Sequence, residues 1–417
     1  MINNLNQTNH SLSVAITYPY PLGKASGGAR MTREIARHLG KLGVKVVLLP
    51  VSSVPLSRFP RPKLSNHFLG FEYDGELAKD SVEIVRVRQN YFHWRLDGLN
   101  VRKTIQKILK QHHLDLVLSY YHEAAFLPSF LHFHKIRFGY ISTWQSYDLA
   151  LNGFANGGKL YRAVKKWLDS WLIINAHRKA DIVFATSYFT RNELIDIMNL
   201  DAEKIVVCPL GVEGKFLEIT RNEPEEITRF LFFGRFTQLK GIADALEALG
   251  LLANRGYDNW TFRVFGQGAC DWVRNLASKN RISDKVIIHG PIGDDELSLE
   301  LQKAHLAILP SHVESFGLSI AEAQAAGIPV IAYQAGSVPE IVENGVTGWL
   351  APYRNIVQLS LCIEKAINNP KQTYQVGLAG RERVKRMFSW EKTSRLMFEK
   401  MQEICSNKNK KSFVYSK

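Results

Sequence analysis

At 417 residues, and with domains of roughly 150 residues as the norm, the chain has room for two or three domains. Its residues are 46% hydrophobic and 22% charged, the balance of a protein that buries real cores, which excludes a disordered chain. The 53 basic residues outnumber the 39 acidic ones, and a net charge of +14 favours anionic partners such as nucleic acid, an acidic membrane surface or a phosphorylated ligand.

The N-terminal residues Met1 to Gln7 have neither the basic start nor the apolar core of a secretory signal. Ser13 to Thr17 is a short β-prone run that ends in turn residues from Pro19 to Gly28, followed by a helix-like segment over 29–42 and a second apolar run over 44–49. Residues 52–75, with Pro55, Pro60 and Pro62, read as an irregular surface loop. Strand-like runs recur at 114–118 and 180–184. A second series begins at Phe230 and continues through 261–266, 286–290, 306–310 and 329–332. Apolar runs separated by helical segments predict parallel strands buried on both faces, hence a doubly wound sheet. The polar stretch 221–226, which contains Pro224, reads as the linker between two Rossmann-like domains. Ligands of such sheets sit beyond the carboxyl ends of the strands, so the site is expected in a cleft where the two domains face one another.

Cys208, Cys270, Cys362 and Cys405 are far apart and form no CxxC pair, so a structural zinc site or disulfide framework is not expected and a reducing cytoplasm fits. No stretch approaches the roughly 18 apolar residues of a membrane span. Neither zinc-finger spacing nor an RNA-recognition signature supports nucleic acid as the anionic partner.

Three segments carry candidate chemistry. Gly27 and Gly28 follow the first strand and precede a helix, where glycines let backbone N–H groups approach a phosphate; the other reading of this pair is a plain turn. Gly234-Arg235-Phe236-Thr237-Gln238-Leu239-Lys240-Gly241 also joins strand to helix and places two permanent cations at the strand end, where Arg can fork onto phosphate oxygens and Lys adds a mobile charge. Its other reading is a solvated basic turn. In the segment from Glu314 to Glu322, Ser315 is the expected N-cap, and the free N–H groups near Phe316 and Gly317 suit a phosphate. Glu322 lies among alanines, where a carboxylate needs a specific partner and a ribose diol would serve.

In these segments the chain resembles a family-four retaining glycosyltransferase, a group 1 glycosyltransferase of the GT-B fold. The matching stretches are Gly27-Gly28, Pro209-Leu210-Gly211-Val212-Glu213, Gly234-Arg235 with Lys240-Gly241, and Gly266-Gln267-Gly268. Glu314-Ser315-Phe316-Gly317 with Glu322, Ala326-Gly327-Ile328-Pro329-Val330, Gly336 to Val342, and Asn344-Gly345-Val346-Thr347-Gly348 complete the set. The resemblance is dense over 209–350 and thinner before it.

The resemblance implies an acceptor-binding Rossmann-like domain over 1–208 and a nucleotide-sugar-binding one over 209–386. A helix over 387–405, opened by Phe388-Ser389-Trp390-Glu391, would cross back to the first domain, and a basic tail would occupy 406–417. By the same resemblance, Arg235 and Lys240 bind and stabilise the departing diphosphate, Glu314 lies by the transferred sugar and Glu322 on the ribose. Pro291 and Ile292 line the base pocket, while Gly27, Gly28, Gly266, Ser315, Phe316 and Gly317 meet the donor. With Arg and Lys on the diphosphate no metal is required, and no cofactor beyond the nucleotide-sugar donor. Where many relatives carry a histidine near the sugar, the run 141–145 places Gln145, which cannot take a proton at neutral pH. His122 is the alternative sugar or acceptor contact.

The implied function is transfer of a sugar from a nucleotide-diphosphate sugar to a glycan or glycolipid acceptor in cell-surface polysaccharide or glycolipid synthesis. A GT-B epimerase or phosphorylase, and a catalytically silent binding subunit, are the alternatives. The stretch 159–177 has Leu160, Val164, Trp167, Leu168, Trp171 and Leu172 at helical spacing with Arg162, Lys165 and Lys166 elsewhere, and Arg102, Lys103, Lys107 and Lys110 form a second basic stretch. Such a helix either packs on the sheet with its lysines solvated or lies on an anionic bilayer, which would make the protein peripheral on the inner membrane face.

Overall fold

The computed structural model describes residues 11–20, 22, 27–52, 77, 79–90, 96–143 and 171–412. The chain divides into two compact units. The described parts of Met1–Ile141, Trp167–Phe184 and Ser394–Lys417 form one, and those of Ser142–Lys166 with Ala185–Thr393 form the other. Residues 221–226, expected as a linker, therefore lie inside the second unit, where Arg221 Nη1 donates to Leu301 O at 2.9 Å.

The first unit is built on β1 (Ser13–Tyr18), β2 (Lys45–Ser52), β3 (Val82–Ile84), β4 (Val87–Arg88), β5 (Leu116–Ser119), β6 (Arg137–Ser142) and β7 (Ile182–Ala185), in the order β3-β2-β1-β5-β6-β7 with β4 beside β2. β1 is buried along its whole length and pairs in parallel with β2 on one side and β5 on the other. Its apolar run therefore reads as a central strand covered on both faces. The helix Gly27–Lys41 returns the chain from β1 to β2. The chain then crosses to β5, which leaves the topological switch between β1 and β5.

The second unit includes β8 (Ile205–Val207) and a sheet of β9 (Arg229–Phe233), β10 (Thr261–Phe265), β11 (Val286–Ile288), β12 (Leu306–Ile308), β13 (Val330–Tyr333) and β14 (Gly348–Ala351). The sheet order is β11-β10-β9-β12-β13-β14 and every pair is parallel. The chain winds outward from β9 to β10 and β11, then returns to β12 on the other side, so the switch falls between β9 and β12. Parallel pairing sends the loops after all six strands to one edge. Helix Ile242–Asn254, rich in the good helix formers Ala and Leu, buries Ile242, Ala245, Leu246, Leu249 and Leu252 at three- and four-residue spacing.

The last helix, Trp390–Ser412, continues past residue 405, where the basic tail was expected to begin. Trp390 lies against Gly211, where an added Cβ would stand 2.2 Å from the Trp390 backbone nitrogen. The loop expected over 52–75 falls outside the described residues from 53 on, and of the stretch 159–177 only 171–177 is described, as helix.

Candidate active site

The loop over 234–241 leaves the carboxyl end of β9. Gly234 N donates to Phe265 O at 3.0 Å, and buried Phe236 donates its N–H to Gln267 O at 2.9 Å, which fastens this loop to the one after β10. Gly266 sits in the same seam, since a Cβ on it would fall 1.7 Å from Gly234 O. Arg235 between these anchors is exposed and, among the described residues, makes no ion pair. Gln238–Lys240 forms one tight turn that ends at Gly241 in the left-handed region, φ 70°. A Cβ there would stand 1.9 Å from Pro310 O, so only glycine lets the loops after β9 and β12 approach this closely.

The β12 loop presents Glu314, whose carboxylate is 6% exposed, and Lys240 Nζ donates to Glu314 Oε1 at 2.6 Å. The Glu314 carbonyl accepts from Ser337 N at 3.0 Å, which holds the backbone while the side chain meets Lys240. Ser315 O accepts from Thr186 Oγ1 at 3.0 Å and from Thr190 Oγ1 at 3.3 Å. Phe316 is buried edge-on to Phe388, centroids 5.3 Å apart.

The helix Leu318–Ala325 then starts from Gly317, with φ 102° and no side-chain cap. Ser315 is therefore not the N-cap: the left-handed turn at Gly317 brings the chain into the helix two residues later than expected, and leaves the first N–H groups of the helix without a capping side chain. Glu322 is inside that helix and 4% exposed. Pro291, exposed, and Ile292 follow β11 at the same sheet edge.

Two predicted cations and one predicted carboxylate thus gather at the switch between β9 and β12, where open α/β sheets bind ligands. Sequence reasoning did not single out the residues that brace them. His312 donates its N–H to Leu239 O at 2.8 Å, while its Nε2 lies 3.0 Å from Asp244 Oδ2, which Tyr333 Oη also reaches at 2.8 Å. Burial pushes the Asp244 carboxyl up, but these two hydrogen bonds win and hold it below the usual carboxylate range. The available signal was spacing alone: His312 stands two residues before Glu314, and Asp244 four after Lys240.

In the first unit, Gly27 and Gly28 open the helix Gly27–Lys41, where a Cβ on Gly28 would fall 2.7 Å from Tyr18 Oη. His122 follows β5 in a short turn, 8% exposed, with Nε2 3.8 Å from Asp97 Oδ2. Beside it, Glu123 is fully buried and accepts from Tyr120 N at 2.9 Å and Tyr121 N at 3.1 Å. Both groups lie beyond strands that flank this sheet's own switch. Gln145 lies outside the described residues. Among the described residues no three His, Cys, Asp or Glu side chains are placed to share a metal ion, and no helix is long and apolar enough to cross a membrane.

Two family models cover almost all of this architecture end to end. "Glycosyltransferase Family 4" matches residues 25–215 and "Glycosyl transferases group 1" matches residues 217–383. The chain belongs to the group 1, family 4 glycosyltransferases. Glycogen synthase of Mycobacterium tuberculosis is 29% identical over 236 residues, 56% of each chain, so the match spans about half the length of that curated relative. Among solved structures, sucrose-phosphate synthase from Thermosynechococcus elongatus superposes with a TM-score of 0.74 at 18% identity, covering 95% of this chain and 100% of that one. HepE of Anabaena, crystallised with UDP and glucose, superposes with a TM-score of 0.70 at 16% identity over 94% of this chain and 100% of that one. These likenesses show the fold: the two Rossmann-like units are those of GT-B glycosyltransferases.

Proposed function

We propose that this group 1 glycosyltransferase moves a sugar from a nucleoside-diphosphate sugar to a glycan or glycolipid acceptor, with retention of anomeric configuration and without a bound metal. The observation that carries this reading is the contact of Lys240 with Glu314 across the β9–β12 switch, with the Arg235 guanidinium exposed in the same loop. Breaking the bond from the anomeric carbon to the diphosphate builds negative charge on the leaving oxygens. Arg235 grips those oxygens bidentately and Lys240 adds a point charge, so the fixed positive charge is present before the bond breaks. Together they supply the charge that a divalent ion would otherwise bring.

Glu314 holds the Lys240 amine in place and faces the transferred sugar, and Glu322 takes the ribose diol. The uncapped N–H groups at the start of Leu318–Ala325 receive a phosphate, and Pro291 and Ile292 border the base. Gly27, Gly28 and Gly266 admit the donor by close backbone approach. His122, or Gln145, contacts the sugar or acceptor. Attack from the face that the diphosphate leaves gives retention, a step supported by the family resemblance.

The solved relative bound to UDP and glucose makes a uridine donor the first to test. The experiment is a thermal-shift panel with UDP, GDP and ADP, each with magnesium and with EDTA, followed by nucleoside diphosphate release from the matching sugar nucleotide. A nucleotide at about 100 times its Kd stabilises by about 2.7 kcal/mol. A shift that survives EDTA, together with release, supports the reading; no shift and no release would replace it with a silent binding subunit.

A second reading concerns location. Arg102, Lys103, Lys107 and Lys110 are all exposed, with Val101, Ile105 and Ile108 buried beneath them, and Trp171 is 54% exposed. An exposed basic helix and an exposed tryptophan suit the inner surface of an anionic bilayer and a lipid-linked acceptor. Flotation with anionic liposomes at low salt tests it, and protein that stays at the bottom rejects it.

A further inference from the structure

Asp244 stands one helical turn beyond Lys240, in the first turn of Ile242–Asn254. A carboxylate only accepts, so His312 carries its proton on Nε2 and donates it to Asp244, as Tyr333 does through its hydroxyl. His312 is therefore tied twice, by its side chain to Asp244 and by its backbone to Leu239, the residue before Lys240. Tyr333 closes β13, and the ring of Tyr353, just beyond β14, meets His312 and Tyr333 at 5.9 and 6.3 Å between centroids. One carboxylate thus links the ends of β9, β12 and β13, beside the Lys240–Glu314 pair and outside it.

We propose that Asp244, His312 and Tyr333 are positioning residues that fix Lys240 against Glu314 before a donor arrives. The proposal rests on the donor-site reading above for its catalytic consequence, and on the tether alone for its structural one. Two loops that meet at a 2.6 Å contact keep it only if neither slides. The tether prevents that slide, because the residue two before Glu314 is pinned both to the helix that follows Lys240 and to the residue that precedes it.

The test compares the full-length chain with His312→Ala, Asp244→Ala, their double variant, His312→Gln and Tyr333→Phe. Two readouts are taken. One is the rate at which an amine-reactive reagent labels Lys240, by mass spectrometry, with exposed Lys103 and Lys107 as internal references. The other is kcat and KM for nucleoside diphosphate release. His312→Ala is expected to raise Lys240 labelling and lower kcat about tenfold or more, with KM near the wild-type value. The double variant is expected to be no worse than Asp244→Ala, which already cuts the His312 tie together with that of Tyr333. His312→Gln keeps an N–H donor toward Asp244 and is expected to restore both readouts. Tyr333→Phe removes a single oxygen and serves if His312→Ala does not fold.

Unchanged Lys240 labelling in His312→Ala, or in Tyr333→Phe when that variant stands in, overturns the proposal. So does a His312→Gln variant as defective as His312→Ala. A wild-type chain that releases no nucleoside diphosphate refutes the glycosyltransferase activity, and the labelling rates still decide the tether.

Discussion

Gly241→Ala separates the cost of a strained backbone from the cost of prising the site apart. At Gly241 the backbone has φ 70°, and the new methyl would begin 1.9 Å from Pro310 O, whereas ordinary contact starts at 3.4 Å. The obstacle is main chain and cannot rotate away, so the loops after β9 and β12 must open by about 1.5 Å. A misplacement of about 1 Å costs around a hundredfold in rate when it moves a group that stabilises the transition state. Gly256 lies just past the other end of the same helix with φ 89° and nothing within 4 Å of its added methyl. Alanine there carries only the left-handed cost, about 1–2 kcal/mol.

Both variants are expected to unfold at lower temperature, by roughly 2–4 °C per kcal/mol when a compact unit of about 200 residues unfolds. Gly241→Ala is expected to fall further than Gly256→Ala, and it alone should lose about a hundredfold in nucleoside diphosphate release. Differential scanning calorimetry and a coupled release assay read the two quantities. Equal melting points and equal turnover in the two variants would refute the claim that close approach of these loops sets the Lys240–Glu314 contact.

Three further outcomes follow from single residues. Arg235→Ala removes an exposed side chain, so stability should move by no more than about 0.5 kcal/mol while turnover drops around a hundredfold; an unchanged rate would sink the role given to Arg235. Glu340 accepts from Tyr188 N at 2.9 Å and Phe189 N at 2.8 Å at the start of the helix Tyr188–Asp196, so Glu340→Ala should cost about 1–2 kcal/mol in urea unfolding. Loss of much less would mean that Ser187, whose hydroxyl caps Thr190 N, carries the cap alone. Burial lowers the His177 pKa from 6.5 to about 4, so the unfolded chain takes up a proton that the folded chain refuses. Stability is then complete above pH 6.5 and falls as the pH drops toward 4; His177→Leu should flatten that fall, and an identical pH dependence in the variant would acquit this residue.

Most strands legible in the sequence are those whose burial comes from the sheet itself. β1, β2, β5, β7, β9, β10, β12 and β13 read as apolar runs because parallel strands are covered on both faces, whereas β11 reads as one although it lies at the sheet edge with Ile287 exposed. β3 and β4 have three and two residues, too short for any period to show. β14 carries Gly348 and Trp349 and takes its place by register with β13, a tertiary fact. The start of Leu318–Ala325 differs from the local signal for a related reason. A serine is the better local cap, but Ser315 O is taken by Thr186 and Thr190, more than a hundred positions away, and Gly317 makes the turn instead.

The candidate site residues divide along the same line. Arg235, Lys240, Glu314 and Glu322 were legible because each sits in a short motif whose chemistry is local: a cation beside glycines, or an acid at or near a helix start. That Lys240 and Glu314 touch was not legible, since 74 positions separate them and only the crossover from β11 back to β12 brings their loops together. Asp244, His312 and Tyr333 carry no motif at all, and their contacts span 68 and 89 positions. A charged pair at a switch point can be read from glycines and acids in the chain, whereas what holds it to a fraction of an ångström is assembled from residues whose identity has meaning only after folding. Loss of activity on changing a residue outside the motifs is therefore expected to concentrate on such braces, and the behaviour of His312→Gln beside His312→Ala distinguishes a brace from ordinary core packing.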